Sequence, residues 1–269
     1  MRSILLLAAG LGLGCKAVPD APKAIDDLTH FFFLEYDSED TESLHAGIDN
    51  LQEWHQDLGD PEGFGGKLTD IGDEHREAIG LKGGADYTWI TGVFELVEHP
   101  RCSAQDMADI YLANNQMQLF EGNYDEYARS GQTNFSCFKD GSCDEAHWNT
   151  HITTTMVGKD MTSDLYVELR RLRDAEGQSV GILCRSWMPR PAEVGGETDG
   201  NTFFDQSYTI EAFVPMGGRN LHLYGVWNSG GLDGLDPEAN FWADQYLKGV
   251  EDWNDRMDEL CDEDRGLWD

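Results

Sequence analysis

The sequence predicts an α+β fold in which a pair of N-terminal helices precedes a curved antiparallel sheet wrapped around a long C-terminal helix. Three observations carry that prediction. Apolar residues recur at helical spacing before position 60, the period switches to two from Tyr87 onward, and helical spacing returns between Trp242 and Leu260.

The first residues stand apart from the rest. Arg2 is followed by an apolar run from Ile4 to Leu13, then Gly14 and Cys15. A positive start ahead of roughly ten apolar residues has the dimensions of a secretory signal and is too short to cross a bilayer as a helix. Residues 1–14 are therefore expected to be removed, and residues 15–23, with Pro19 and Pro22, read as a tether.

From Ala24 to Tyr36, the residues Ile25, Leu28, Phe32 and Tyr36 share one helical face, and from Thr41 to Leu58 so do Leu44, Ile48, Leu51, His55 and Leu58. Asp40 or Thr41 suits the N-cap of the second helix, and Gly59-Asp60-Pro61 ends it. The glycine-rich stretch to Gly84 reads as a linker holding one short helix near Asp73 to Ile79. Residues 24–84 thus form a helical appendage and linker, and residues 85–269 the main domain.

That domain opens with alternation from Tyr87 to Phe94, a strand. Ser103 with Asp106 three residues on forms a capping box for a helix carrying Met107, Ile110, Tyr111, Asn114 and Met117 along one face. Strands are then predicted at Tyr124 to Ser130, His151 to Val157, Ser163 to Leu172, Val180 to Met188, Phe203 to Val214 and, after the turn Met216-Gly217-Gly218-Arg219, Asn220 to Trp227. The last helix is capped by Asp236 with Pro237 at its first position, and its stripe of Trp242, Tyr246, Val250, Trp253, Met257 and Leu260 must be buried against something.

With 51 acidic against 19 basic residues the chain has a formal charge of -32, so its surface repels a polyanion and excludes nucleic acid as a partner. If Cys15 is modified, five cysteines remain, and export permits disulfides. Cys137 and Cys143 flank a short turn-like loop and form the first expected bridge. Pairing among Cys102, Cys184 and Cys261 stays open, with one thiol left free.

Leu11-Gly12-Leu13-Gly14-Cys15 resembles the lipobox of bacterial lipoproteins, with Gly12 where that family carries leucine three positions before the cysteine. The resemblance implies a diacylglyceryl thioether on Cys15. Lys16, rather than aspartate, after it implies an outer-membrane, lipid-anchored location in a bacterial envelope. The order of elements from Tyr87 to Cys261, with the Gly-Gly turn and the amphipathic last helix, resembles the START-like superfamily of polyketide cyclases and lipid carriers. Departures are the Cys137 to His147 insertion and the acidic loop Glu193 to Asn201. This second resemblance implies a helix-grip domain whose cavity takes an apolar or amphipathic small molecule. Trp187, Phe213, Tyr224, Trp227, Trp242 and Trp253 are then candidate lining residues, and Arg171 a candidate partner for an acidic head group.

Candidates for chemistry are few. His147 and His151 stand four residues apart, a zinc-ligand spacing on a helix, but without the glutamate of the zincin motif. Asp140, Ser142 and Asp144 alternate as oxygen ligands of a calcium loop do, with Glu145 where an EF-hand needs glycine, and Asp233 with Asp236 offers a second acidic pair. There is no Gly-x-Ser-x-Gly elbow and no phosphate-binding or dinucleotide fingerprint. No cofactor is expected beyond these zinc or calcium candidates. A non-enzymatic ligand-binding lipoprotein is the leading expectation. A structural or interaction lipoprotein with a filled core and acidic surface is the alternative, and a metal-assisted hydrolase or cyclase using His147 and His151 a third.

Overall fold

The structure, a computed structural model, describes residues 20–59, 63–82, 84–86, 90–156, 159–196, 202–232, 240–262 and 265–268. The expected signal segment, Cys15, residues 16–19 of the tether, Tyr87 to Trp89, Asp233, and the cap at Asp236 and Pro237 lie outside these residues.

Helices α1 (Ile25–Leu34) and α2 (Thr41–Leu58) form where the apolar spacing places them. Asp40 caps α2 by accepting from the Ser43 amide at 3.3 Å, and Gly59 ends it in the left-handed region at φ 64°, a conformation glycine adopts without strain. The glycine-rich stretch differs from a plain linker. It contains the strand β1 (Phe64–Leu68) as well as the short helix α3 (Asp73–Ala78), and β1 pairs with β2 (Ile90–His99). Gly65 and Gly66 sit against Leu247 and the ring of Phe94, where a Cβ would collide with Leu247 and press on Phe94. Packing selects glycine in this strand, and the resulting composition looks like a linker.

After β2 comes α4 (Ala104–Leu112), started by the expected capping box: Ser103 Oγ accepts from the Asp106 amide, and Asp106 accepts from that of Ser103. The helix stops before Asn114, and Met117 belongs instead to the separate turn α5 (Gln116–Leu119). Then follow β3 (Glu126–Thr133), α6 (Phe135–Lys139), β4 (Glu145–Met156), β5 (Lys159–Arg173), β6 (Ser179–Trp187), the two-residue β7 (Glu193–Val194), β8 (Phe203–Pro215), β9 (Asn220–Gly231) and α7 (Asn240–Asp262). The strands make one antiparallel nine-stranded sheet in the order β1-β2-β9-β8-β6-β5-β4-β3, with β7 added on β5.

Helices cover both faces of the central strands. On one face, here the outer face, α1 and α2 bury Leu28, Phe32, Phe33, Leu44 and Ile48 against Leu183, Tyr208, Ile210, Leu223 and Trp227. On the inner face, α4 and α7 meet Ile182, Phe213 and Val226 through two further clusters. The last helix laid along an antiparallel sheet is the predicted helix-grip arrangement, and the α+β class holds. Among the described residues, no helix is long and apolar enough to cross a membrane.

Two disulfides fix the inner face. Cys137 and Cys143, with Cα atoms 5.3 Å apart, close the expected local loop. Cys102 and Cys261, also 5.3 Å apart at Cα, tie the segment before α4 to the last turn of α7, and among the described residues Cys184 is the free thiol, buried.

Candidate ligand cavity

A cavity of about 690 Å³ lies between the inner face of β3–β6, β8 and β9, the α4–α5 segment and the middle of α7. Its floor is built from strand register. Position by position across β4, β5, β6, β8 and β9, one inner-face row reads Trp148, Val167, Ser186, Thr209 and Val226. The adjoining row reads Ala146, Leu169, Cys184, Glu211 and Tyr224. In antiparallel strands alternate residues share a face, so hydroxyls and apolar groups interleave on the floor while the roof is aromatic. Phe120 and Trp253 stack there with parallel rings, centroids 3.9 Å apart, and Trp253 also contacts Tyr111.

Both arginines on the wall are committed to protein acceptors. Arg129 donates from Nε to Tyr127 Oη at 2.7 Å, from Nη1 to the Ala113 carbonyl at 2.8 Å and from Nη2 to the Tyr111 carbonyl, and its guanidinium lies over the Trp148 ring. Arg256 donates to the Leu119 carbonyl and to Glu259.

At the inner end stands Glu211, 3 % exposed. Tyr111 Oη donates to its Oε2 at 2.6 Å, and His222 Nε2 lies 3.0 Å from the same oxygen. Burial, with Glu211 beside them, pushes the Tyr111 and Tyr224 hydroxyls and the Cys184 thiol well above their ordinary values. Desolvation holds the His222 imidazole below its own. On β2, burial raises the carboxyl of Glu95, against which Asn254 of α7 donates.

The expected lining residues divide. Tyr224 and Trp253 line the cavity. Phe213 is on the inner face but beyond the cavity end, packed between Tyr111 and His222. Trp187 and Trp227 lie on the outer face; Trp227 donates from Nε1 to the Thr69 carbonyl at 2.9 Å under α1 and α3. Trp242 joins a small cluster with Met161 and Leu232. Arg171 does share the face of Leu165, Val167 and Leu169, as the alternation predicts, but past the cavity end. There it donates to Gln105 at 2.6 Å and to the Phe138 carbonyl at 2.7 Å and stacks on the Phe138 ring.

His147 and His151 are both on β4 rather than on a helix or loop, and both point to the outer side, opposite Trp148 and Thr150. His151 pairs with Asp164 at 2.7 Å and His147 stacks on Tyr166, so the two imidazoles do not converge. Asp144 is held by Arg173 at 2.7 Å, and Asp140 accepts from the Ser142 amide. Among the described residues, no group of three or more His, Cys, Asp or Glu side chains is gathered as a metal would need.

Sequence reasoning missed Glu211, Tyr111, His222 and the floor hydroxyls of Thr150, Ser186 and Thr209. The signal was a single acid inside the apolar run Tyr208 to Val214, because a charge at the centre of a buried strand requires a buried partner. The Met216 to Arg219 hairpin supplies that partner by placing His222 diagonally across from Glu211.

The fold and the space beneath the last helix define the chain as an α+β helix-grip protein with a cavity that opens to solvent. No protein-family model and no curated protein matches it. Among solved structures it is similar to a STAR-related lipid transfer protein from Xanthomonas axonopodis, with 11 % identity over 66 % of this chain and 96 % of that one at a TM-score of 0.42. It is also similar to the human StarD13 lipid transfer and protein localization domain, with 10 % identity over 80 % and 96 % of the chains and a TM-score of 0.40. Truncated norcoclaurine synthase from Thalictrum flavum matches at 15 % identity over 65 % and 94 %, with a TM-score of 0.37.

Proposed function

We propose that this chain is an envelope-anchored lipoprotein that binds an apolar or amphipathic small molecule between its sheet and its last helix, as a carrier or receptor and not as an enzyme. The cavity of about 690 Å³, open to solvent on one side, is the observation that carries the binding role, since a concave space of this volume is the size of a ligand site. Its mixture of aromatic rings and scattered hydroxyls suits a molecule with an apolar body and a polar end. Cys184, the sulfur nucleophile in the lining, is kept protonated by burial and is therefore inert at neutral pH, which favours binding over covalent chemistry. The anchor is read from the lipobox-like Leu11 to Cys15, and Lys16 after it supports an outer-membrane location in a bacterial envelope.

Two measurements test this function. Native and denaturing mass spectrometry on the full-length chain purified from membranes is expected to release one apolar or amphipathic molecule per chain. A chain that purifies empty and takes up no such molecule on soaking overturns the binding role. Labelled palmitate is expected on the wild type and to vanish in Cys15→Ser, and labelling that survives the substitution overturns the anchor.

A further inference from the structure

The cavity end is wired to the protein surface. His222 Nε2 is 3.0 Å from Glu211 Oε2, His222 Nδ1 is 3.3 Å from His99 Nε2, and His99 Nδ1 is 2.9 Å from Asp258 Oδ1. Both imidazoles are fully buried, while the Asp258 side chain on α7 is 42 % exposed. The chain therefore runs from a carboxyl inside the cavity, through two buried rings, to a carboxylate in water.

Proton counting restricts its states. For all three contacts to be hydrogen bonds with Asp258 ionised, three protons are shared among the links. One arrangement has Glu211 neutral and donating to His222, His222 Nδ1 donating to His99, and His99 Nδ1 donating to Asp258. A second has Glu211 ionised and accepting from His222 Nε2, with His99 an imidazolium donating both to His222 Nδ1 and to Asp258. A third has Glu211 ionised and His222 the imidazolium, donating from Nε2 to Glu211 and from Nδ1 to neutral His99, and the depressed basicity of His222 weighs against it. All three contain the same protons and the same three hydrogen bonds, and they differ in where the charge lies: solely on Asp258 in the first, on Glu211, His99 and Asp258 in the second, and on Glu211, His222 and Asp258 in the third. The first leaves the buried side chains of the relay uncharged, in keeping with the depressed basicity of His222.

A cation beside Glu211 favours the arrangements in which that carboxyl is ionised, and the surroundings suit one. Tyr111, Tyr224 and Trp253 line the same space as Glu211, Tyr111 with its hydroxyl on the carboxyl, and aromatic rings attract ammonium groups. The wall arginines that would attract an anion are committed to backbone carbonyls and side-chain acceptors of the protein. The other titratable groups facing the chain are neutral or acidic: Tyr111 from α4, Cys184 from β6, Tyr224 from β9 and Glu95 from β2.

We propose that the ligand is an amphipathic amine or quaternary ammonium compound whose cationic end is held by Glu211 and the rings around it, and that Glu211 becomes an anion for it by passing its proton along His222 to His99, beside Asp258. In this step the Glu211 O–H bond breaks and a His222 Nε2–H bond forms, while the His222 Nδ1 proton passes to His99 Nε2. No proton enters or leaves the protein. The ligand class rests on the binding role proposed above; the wiring itself does not.

The test uses the full-length chain with three probes of equal chain length below their micelle-forming concentrations: dodecyltrimethylammonium, dodecanol and dodecanoate. Wild type is expected to prefer dodecyltrimethylammonium over dodecanol by about tenfold or more, with dodecanoate weakest. Glu211→Gln brings that ratio close to unity. Asp258→Asn, at the surface and out of reach of the ligand, lowers the ratio several-fold. In wild type, the ¹⁵N signals of the His99 ring move from neutral to imidazolium positions on adding dodecyltrimethylammonium and stay put with dodecanol. Equal binding of all three probes, or cation binding with unchanged His99 signals, overturns this proposal and leaves the cavity as a binding site. Failure of every probe to bind overturns the cavity's binding role as well, and the ligand class with it.

Discussion

Single side chains decide what the cavity admits. Ser186 is at the centre of the floor, register-paired with Val167 and Thr209, and its side chain is directed into the space. Ser186→Trp is expected to fill the floor and weaken ligand binding by about tenfold or more, because the displaced contacts have nowhere else to form. The thermal unfolding temperature should remain close to that of wild type, since the added ring enters empty volume instead of packed core. Titration with dodecanol against both proteins checks it.

On the outer face a different histidine pair sets an acid limit. His30 Nδ1 is 2.7 Å from His75 Nε2 beneath Trp227, and burial together with the neighbouring His30 lowers His75 to about 4. A folded-state value below the ordinary 6.5 means that the unfolded chain takes up a proton that the folded chain refuses. Stability is therefore whole above about pH 6.5 and falls as the pH drops toward about 4, by on the order of 2–3 kcal/mol from this group. Urea denaturation across that window should show the slope, and His75→Gln should flatten it.

At the scale of elements, α1 rides directly on β9. Thr29 Cγ2 occupies the place where a side chain at Gly225 would begin, and Ile210 closes the other side. Gly225→Ala is predicted to push α1 off the sheet and cost about 1–3 kcal/mol, read as a lower urea midpoint with an unchanged slope.

That contact also shows what the sequence could not convey. Periodicity located the N-terminal helices, the seven long strands β2 to β6, β8 and β9, and the last helix, because alternation and the 3.6-residue repeat are local properties of the chain. It could not say which face of a strand meets which helix. In β8, residues Tyr208 to Val214 are all buried since both faces are covered, so Trp187 and Trp227 looked equivalent to Tyr224 although they belong to the opposite layer. β4 begins six residues before the expected start because Glu145 to Thr150 already alternates, a pattern overlooked beside the helical spacing of His147 and His151. Glu211 was legible only as an anomaly: its partners are supplied by α4, β6 and β9, which no local pattern brings together.

For the whole molecule, the long-range disulfide dominates. Cys102 and Cys261 are separated by 159 positions, so the bridge denies the unfolded chain a very large set of conformations. Replacing both cysteines by alanine is expected to lower stability by about 4–5 kcal/mol on the loop-entropy scale, measured by urea unfolding of oxidised wild type against the variant. The Cys137 and Cys143 bridge closes a far shorter loop, and its removal should cost distinctly less.

The same bridge turns most of the protein into a closed covalent ring. Strands β3 through β9 and nearly all of α7 lie inside it, whereas α1, α2, β1 and β2 form a tail attached at Cys102. A protease that cuts once within the ring, for instance in the exposed turn at Gly195 and Gly196, therefore opens the ring without dividing the molecule. Both pieces remain joined, with the sheet held by its neighbouring strands, until a reductant separates them.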